Sequence, residues 1–158
     1  MAESDNQLQL VTFQLGNEKY GIDIMEVKEI VRNQEVRPVP NSPLWVQGLL
    51  NLRGRIIPII DLHKRFQITR LPYEDDEGDP GGIMVITLEG RELGIVIDKI
   101  LRVLSIESSD LQAPPQMMSG IGTEYIQAVV SGEDGYLVIL NTRRLFNPRE
   151  LQSISDLV

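Results

Sequence analysis

The chain has no cysteine, a single histidine, and only one tryptophan, four tyrosines and three phenylalanines in 158 residues. Without thiols there are no disulfides, no thiolate metal sites and no cysteine nucleophile, a composition that fits a reducing compartment. His63 stands alone, so neither a multi-histidine metal site nor a Ser-His-Asp arrangement can be assembled. Leaving an apolar run as it does, it reads as a surface residue. Few aromatics mean few stacking platforms for single-stranded bases. Fifteen basic against 23 acidic residues give a formal charge of −8, which repels nucleic-acid backbones and anionic lipid headgroups. No apolar stretch approaches the roughly 20 residues of a membrane span, and the start, Met1-Ala2-Glu3-Ser4-Asp5-Asn6, has no leader-like pattern. The expectation is a soluble cytoplasmic protein with no membrane insertion, no nucleic-acid partner, no metal and no cofactor. A chain of this length buries roughly 68–70% of its unfolded surface, so a core forms without staples.

What the chain does have is repetition. Ile57, Ile59, Ile60, Asp61 and Phe66 lie over Leu137, Ile139, Leu140, Asn141 and Phe146 at a constant offset of 80 residues. Gly21, Ile22, Ile24, Val27 and Ile30 lie over Gly94, Ile95, Ile97, Ile100 and Val103 at an offset of 73. Shared offsets over apolar runs indicate two copies of one plan, too few for a solenoid, and so two similar small modules packed together.

Short apolar runs with turn signals dominate the remainder. Leu8 to Leu15 alternate up to Gly16-Asn17-Glu18-Lys19, after which strand resumes at Tyr20-Gly21-Ile22. Asp23 is placed to cap a short helix with Glu26 three residues on, putting Val27, Ile30 and Val31 on one face. Val36-Arg37-Pro38-Val39-Pro40 is extended. Runs 49–52 and 56–62 flank Arg53-Gly54-Arg55 as a hairpin, and Pro58 in the returning run predicts an edge strand or a bulge. Ile83 to Leu88, Gly94 to Leu104, Tyr125 to Val130 and Tyr136 to Leu140 are further strand candidates, the last two joined at Glu133-Asp134-Gly135. Asn147-Pro148-Arg149-Glu150 opens a helix whose apolar face is Leu151, Ile154 and Val158. The expected organisation is a polar tail at 1–7, a β-barrel subdomain at 8–72, an acidic connector at 73–82, a second β-barrel subdomain at 83–147 and a C-terminal helix at 148–158.

Active-site material is thin. Gly120-Ile121-Gly122-Thr123-Glu124-Tyr125 begins like a dinucleotide fingerprint, but its sixth position is tyrosine and no βαβ unit surrounds it. A calcium loop through Asp75, Glu77 and Asp79 fails because Pro80 occupies the position that needs glycine. No carboxylate pair is flanked by pocket residues that would set it up for acid/base hydrolysis. No catalytic residue is assigned. What remains is surface: outward apolar residues of 24–31 and 95–104 are candidates for protein contact.

Tyr20-Gly21-Ile22-Asp23-Ile24, Val27-Lys28-Glu29-Ile30, Asn51-Leu52-Arg53-Gly54, Ile56-Ile57-Pro58-Ile59-Ile60-Asp61-Leu62, Gly94-Ile95-Val96-Ile97-Asp98 and Thr123-Glu124-Tyr125 closely resemble the CheW family of chemotaxis coupling proteins, over about residues 8–150. The resemblance implies a mainly β fold: two SH3-like five-stranded β-barrel subdomains with short helices and a C-terminal helix. It implies a non-catalytic adaptor linking the histidine kinase CheA, through its regulatory domain, to the cytoplasmic tips of methyl-accepting chemoreceptors. The resemblance also implies recruitment to membrane-associated receptor arrays, where kinase and adaptor can alternate in rings and other copies of the adaptor can join them. Val27, Glu29, Gly48, Arg53, Ile100 and Val103 match the family's receptor-facing groove between the barrels, with Glu29 and Arg53 as a charge pair. Val36 and Ile56 match its kinase-facing surface. An adaptor for another CheA-like kinase, in pilus or gliding motility, is the alternative; an unrecognised carboxylate hydrolase is a third reading.

Overall fold

Among the described residues, β-branched and leucine residues in short runs, broken by glycine turns, form ten strands with little helix between them. The computed structural model describes residues 7–32, 35–68, 81–114, 123–132 and 135–158. Most of the polar tail and of the acidic connector, the Gly120-Ile121-Gly122 loop and the Glu133-Asp134 turn lie outside these described residues. In chain order the strands are β1 (Gln7–Leu15), β2 (Glu18–Asp23), β3 (Val27–Val31), β4 (Val46–Leu52), β5 (Arg55–Ile60), β6 (Gly82–Leu88), β7 (Arg91–Ile97), β8 (Lys99–Glu107), β9 (Ile126–Gly132) and β10 (Gly135–Leu140). A short helix α1 (Leu62–Phe66) follows β5, and helix α2 (Pro148–Ser155) closes the chain. The strands make two five-stranded sheets, the mainly β architecture expected.

The first sheet runs β8-β1-β2-β10-β9 and the second β3-β6-β7-β5-β4. Shifting each strand by one module, β1 onto β6 and so on, turns one order into the other. The residue register repeats as well: Ile139 pairs with Gly21 in the first sheet as Ile59 pairs with Gly94 in the second. Even the irregularity is copied, with a register shift between Val11 and Phe13 against β8 and another between Val27 and Glu29 against β6.

One expectation needs correction. Residues 8–72 and 83–147 do not each build their own sheet, because each sheet combines two strands of one half with three of the other. The reason is the short junction after the second strand of each half. A single turn of 3₁₀ helix, Ile24–Glu26, joins β2 to β3, and Asp98 alone separates β7 from β8. Neither junction reverses the chain into a hairpin, so the strand carries across to the neighbouring sheet.

Three local expectations change for related reasons. Asp23 does cap, its carboxylate accepting from the Met25 amide at 2.9 Å, but only for that 3₁₀ turn. Val27–Val31 is strand, because its β-branched residues have β6 to pair with. The run from Gly94 to Leu104 is likewise two strands, broken at Asp98. Pro58 lies in β5, which is interior; the edge is β4, and the register shift lies there, between Val46 and Gly48. The proline is accommodated because the ladder to β7 involves only Ile59 and Ile60.

Alternation sorts the side chains into three clusters. Val11, Phe13, Tyr20 and Ile22 of the first sheet meet Met84, Ile86, Leu93 and Ile95 of the second in one shared core. The opposite faces form separate interiors, Leu50, Leu52, Ile57, Ile59, Ile83 and Val85 in the second sheet and Leu10, Ala128 and Ile139 in the first. Helix α2 forms as its sequence dictates, with a full capping box between Asn147 and Glu150 and Pro148 in the first turn. Leu151 and Ile154 are buried, whereas Val158 is exposed.

Candidate functional site

The hairpin turn between β4 and β5 carries Arg53 with φ of 52°, a left-handed conformation that aims its side chain across to β3. There its guanidinium donates to both Glu29 oxygens, at 2.7 and 2.8 Å. Arg55 donates to the same carboxylate at 2.9 Å and also to Glu92 of β7, which Lys28 meets at 2.8 Å. The result is a chain of alternating charge, Arg53–Glu29–Arg55–Glu92–Lys28, laid over three strands. Hydrogen bonds from Arg53, then Arg55, hold the Glu29 carboxyl below the usual carboxylate range, and Lys28, with Arg55, does the same for Glu92. Arg53 itself stays 65% exposed, so one face of the pair is open to an incoming partner.

Val27 and Ile100 occupy matching places on β3 and β8, each half-buried against the core shared by both sheets. Val103 on β8 is 51% exposed. Apolar residues on two edge strands, with Glu29 of the Glu29–Arg53 pair on the same strand as Val27, suit a protein contact: apolar anchors with charge at their margin. Gly48 falls elsewhere. A Cβ there would meet the Arg37 carbonyl oxygen at 2.1 Å and the Val36 side chain at 2.9 Å. It lets residues 36–37 lie on β4, where Arg37 and Leu49 exchange hydrogen bonds at 2.9 and 2.8 Å. Gly48 therefore supports the Val36 side of the molecule. Val36 packs against the second sheet's interior, and Ile56, 41% exposed, lines a cavity of about 600 Å³ with Arg37, Pro38 and Val39. Among the described residues no cluster of histidine and carboxylates is placed to hold a metal, and no helix is long and apolar enough to cross a membrane.

The family model for the CheW-like domain matches residues 9–150. The chain belongs to the CheW family. It is 50% identical over 157 residues to the chemotaxis protein CheW of Treponema pallidum, covering 99% of this chain and 92% of that one. It is 30% identical to the chemotaxis protein CheW of Klebsiella aerogenes, covering 94% and 87%. Its fold is similar to the crystal structure of the scaffolding protein TtCheW from Thermoanaerobacter tengcongensis, with a TM-score of 0.79 at 29% identity and 90% of each chain covered. As a CheW-family scaffold it works by attachment and is not an enzyme.

Two features of this CheW-like chain escaped the sequence reading. His63 is buried, not on the surface: Asp61 meets Nδ1 and Asp98 meets Nε2, each at 2.9 Å. Asp98 also accepts from the Gly16 amide at 2.7 Å, so the histidine ties α1 to the β7–β8 junction and the β1–β2 turn. The second feature is Arg65. Its guanidinium lies 4.9 Å from the Trp45 ring, 4.8 Å from Phe146, and 5.9 Å from both Phe66 and Tyr125. It donates to the Leu145 carbonyl at 2.9 Å and to both Glu150 oxygens, at 2.9 and 2.8 Å. Trp45 with Tyr125, Phe66 with Phe146 and Arg65 with Leu145 all share the offset of 80 residues. The rings pair across the copies, Trp45 on Phe146 and Phe66 on Tyr125. Arg65 thus fills the joint between the two modules and clasps α2; the offset of 80, extended to the aromatic positions, was the signal that could have located it.

Proposed function

We propose that this chain couples a CheA-type histidine kinase to the cytoplasmic tips of chemoreceptors, at the membrane-associated arrays those receptors form. The receptor tip packs on Val27, Ile100 and Val103 beside the Glu29–Arg53 pair, and the kinase regulatory domain docks around Ile56 and the 36–39 segment. Gly48 supports the second surface through its contact with Val36 and Arg37. The observation that carries the reading is the separation of two exposed apolar patches, one on the edge strands β3 and β8 and the other on the β4–β5 face, on a single interleaved body.

Pull-down with receptor tips and with the kinase regulatory domain, run beside unfolding curves, tests it. Truncating a central groove residue such as Val27 or Ile100 to alanine costs about 1–3 kcal/mol of receptor affinity while sparing the kinase. Ile56→Asp does the reverse. Folded variants that bind both partners like the parent would remove these residues from the surfaces. Capture of a pilus or gliding-motility kinase in place of a chemotaxis kinase would move the chain to that system.

A further inference from the structure

Two carboxylates from different elements close on the ring of His63 in the interior. Asp61, at the β5–α1 corner, meets Nδ1 and Asp98, between β7 and β8, meets Nε2, both at 2.9 Å; the side chains of His63, Asp61 and Asp98 are 4%, 3% and 9% exposed. The same two oxygens each accept from a backbone amide as well, Asp61 from His63 at 2.9 Å and Asp98 from Gly16 at 2.7 Å. Amide donors favour the ionised form of a carboxyl, so the hydrogens that both ring contacts need belong to the ring. A neutral imidazole carries one; this geometry calls for two. Other charged side chains of the surrounding elements are turned elsewhere: Glu18 of β2 accepts from the Tyr20 hydroxyl at 3.1 Å, Arg65 of α1 donates to Glu150 at 2.9 Å, and Lys64 and Lys99 are exposed.

We propose that His63 is held as an imidazolium whose second proton clamps the crossing where the chain passes from the second sheet to the first, a clamp shut at neutral pH and opened by alkali. The Asp98 amide also donates to the Gln14 carbonyl at 2.9 Å, so the crossing, the β1–β2 turn and α1 meet around one ring. When the proton leaves, a buried carboxylate faces a bare nitrogen, two acceptors with no hydrogen between them. The other crossing is built without a base. There Thr142, in the 3₁₀ turn after β10, donates to Glu26 of the β2–β3 turn at 2.7 Å. At the offset of 80, Asp61 and His63 lie over Asn141 and Arg143, which leaves that copy with neither the carboxylate nor the titrating ring. One crossing of the two therefore responds to pH. A histidine that keeps its proton on folding contributes stability that is fully present below its unfolded value of about 6.5 and is lost as pH rises through the folded one. The inference stands apart from the adaptor reading, since it uses neither docking surface.

The composition makes the test clean, because with one histidine and no cysteine His63 is the one side chain whose ordinary value lies between pH 5 and 8. Nitrogen-15 spectra of the full chain labelled at histidine should show both ring nitrogens protonated at pH 8. Unfolding in urea should release close to one proton per molecule, so that the unfolding constant rises about eightfold from pH 7 to 8. His63→Gln should abolish that rise; the α-amino group is common to both chains and cancels in the comparison. The same substitution should move the amide shifts of Gly16 and Asp98 and spare those of Glu26 and Thr142. A bare ring nitrogen at pH 8, an unfolding constant that is flat in the unaltered chain, an equal rise in both chains, or equal disturbance of both crossings would each overturn the clamp. Should His63→Gln unfold, the ring nitrogens and the pH slope of the unaltered chain decide the matter on their own.

Discussion

The first and second sheets share strand order, register and even a bulge, yet they are finished differently. The second has an interior of six buried apolar residues and an end closed by Arg55, Glu29 and Glu92. The first has Leu10, Ala128 and Ile139 inside and, at the same end, a largely apolar cavity of about 640 Å³. Duplication thus repeats what backbone pairing and the shared core demand, and divergence sits inside each sheet and at its rim. The joint between them shows the same principle, with Arg65 among four rings where the other copy has Leu145. Interleaving explains why this is tolerated. Each sheet holds strands of both halves, so the halves cannot drift apart while their private faces change.

The comparison can be broken hardest at the joint. Arg65→Leu, which makes the two copies alike there, removes four ring contacts and strands Glu150; unfolding in urea should show a loss of about 2–4 kcal/mol. The paired glycines sharpen it next. A Cβ on Gly94 would come within 2.5 Å of Ile59 and 2.8 Å of Ile83, whereas one on Gly21 would come no nearer than 3.4 Å to Leu10. Gly94→Ala should therefore cost about 1–3 kcal/mol and Gly21→Ala under about 1, read from denaturant midpoints; equal costs would deny the difference in packing. The smallest effect concerns the carboxylates. Arg65 and the Asn147 amide keep the Glu150 carboxyl below its ordinary value of 4.5 against the opposing effect of burial, and Glu29 and Glu92 are lowered by their cations. A depressed folded pKa contributes stability that is complete above 4.5 and is lost as pH falls through the lower folded value. Melting temperature should accordingly drop below that pH, less steeply in Glu150→Gln, while Glu29→Gln changes it least and mainly at low salt.

Much of this was legible in the chain, because apolar alternation and glycine turns report strands, and constant offsets report duplication. Ile59 over Ile139 and Gly21 over Gly94 carried the register itself. Offsets cannot say which copy's strands pair, since matching like with like is the same whether modules are separate or exchanged. That is why boundaries at 73–82 missed the interleaving. His63 was illegible for another reason: a polar residue leaving a strand usually faces water, and only a tertiary partner such as Asp98, 35 residues away, buries it, whereas Arg65 was within reach of the offset of 80 through its ring neighbours. Glu29 and Arg53 meet at 2.7 and 2.8 Å, and Val27 and Ile100 take matching places on the edge strands of the two sheets. Gly48 belongs with Val36, a contact set by backbone approach that side-chain patterns do not encode.

The claim on which the account rests is that one rigid body offers two faces that work at once. Sedimentation of the chain with a receptor-tip fragment and the kinase regulatory domain, mixed in turn and together, tests it most directly. The account predicts a ternary complex in which each partner binds as tightly as it does alone. Displacement of one partner by the other would mean a single shared face and would contradict it.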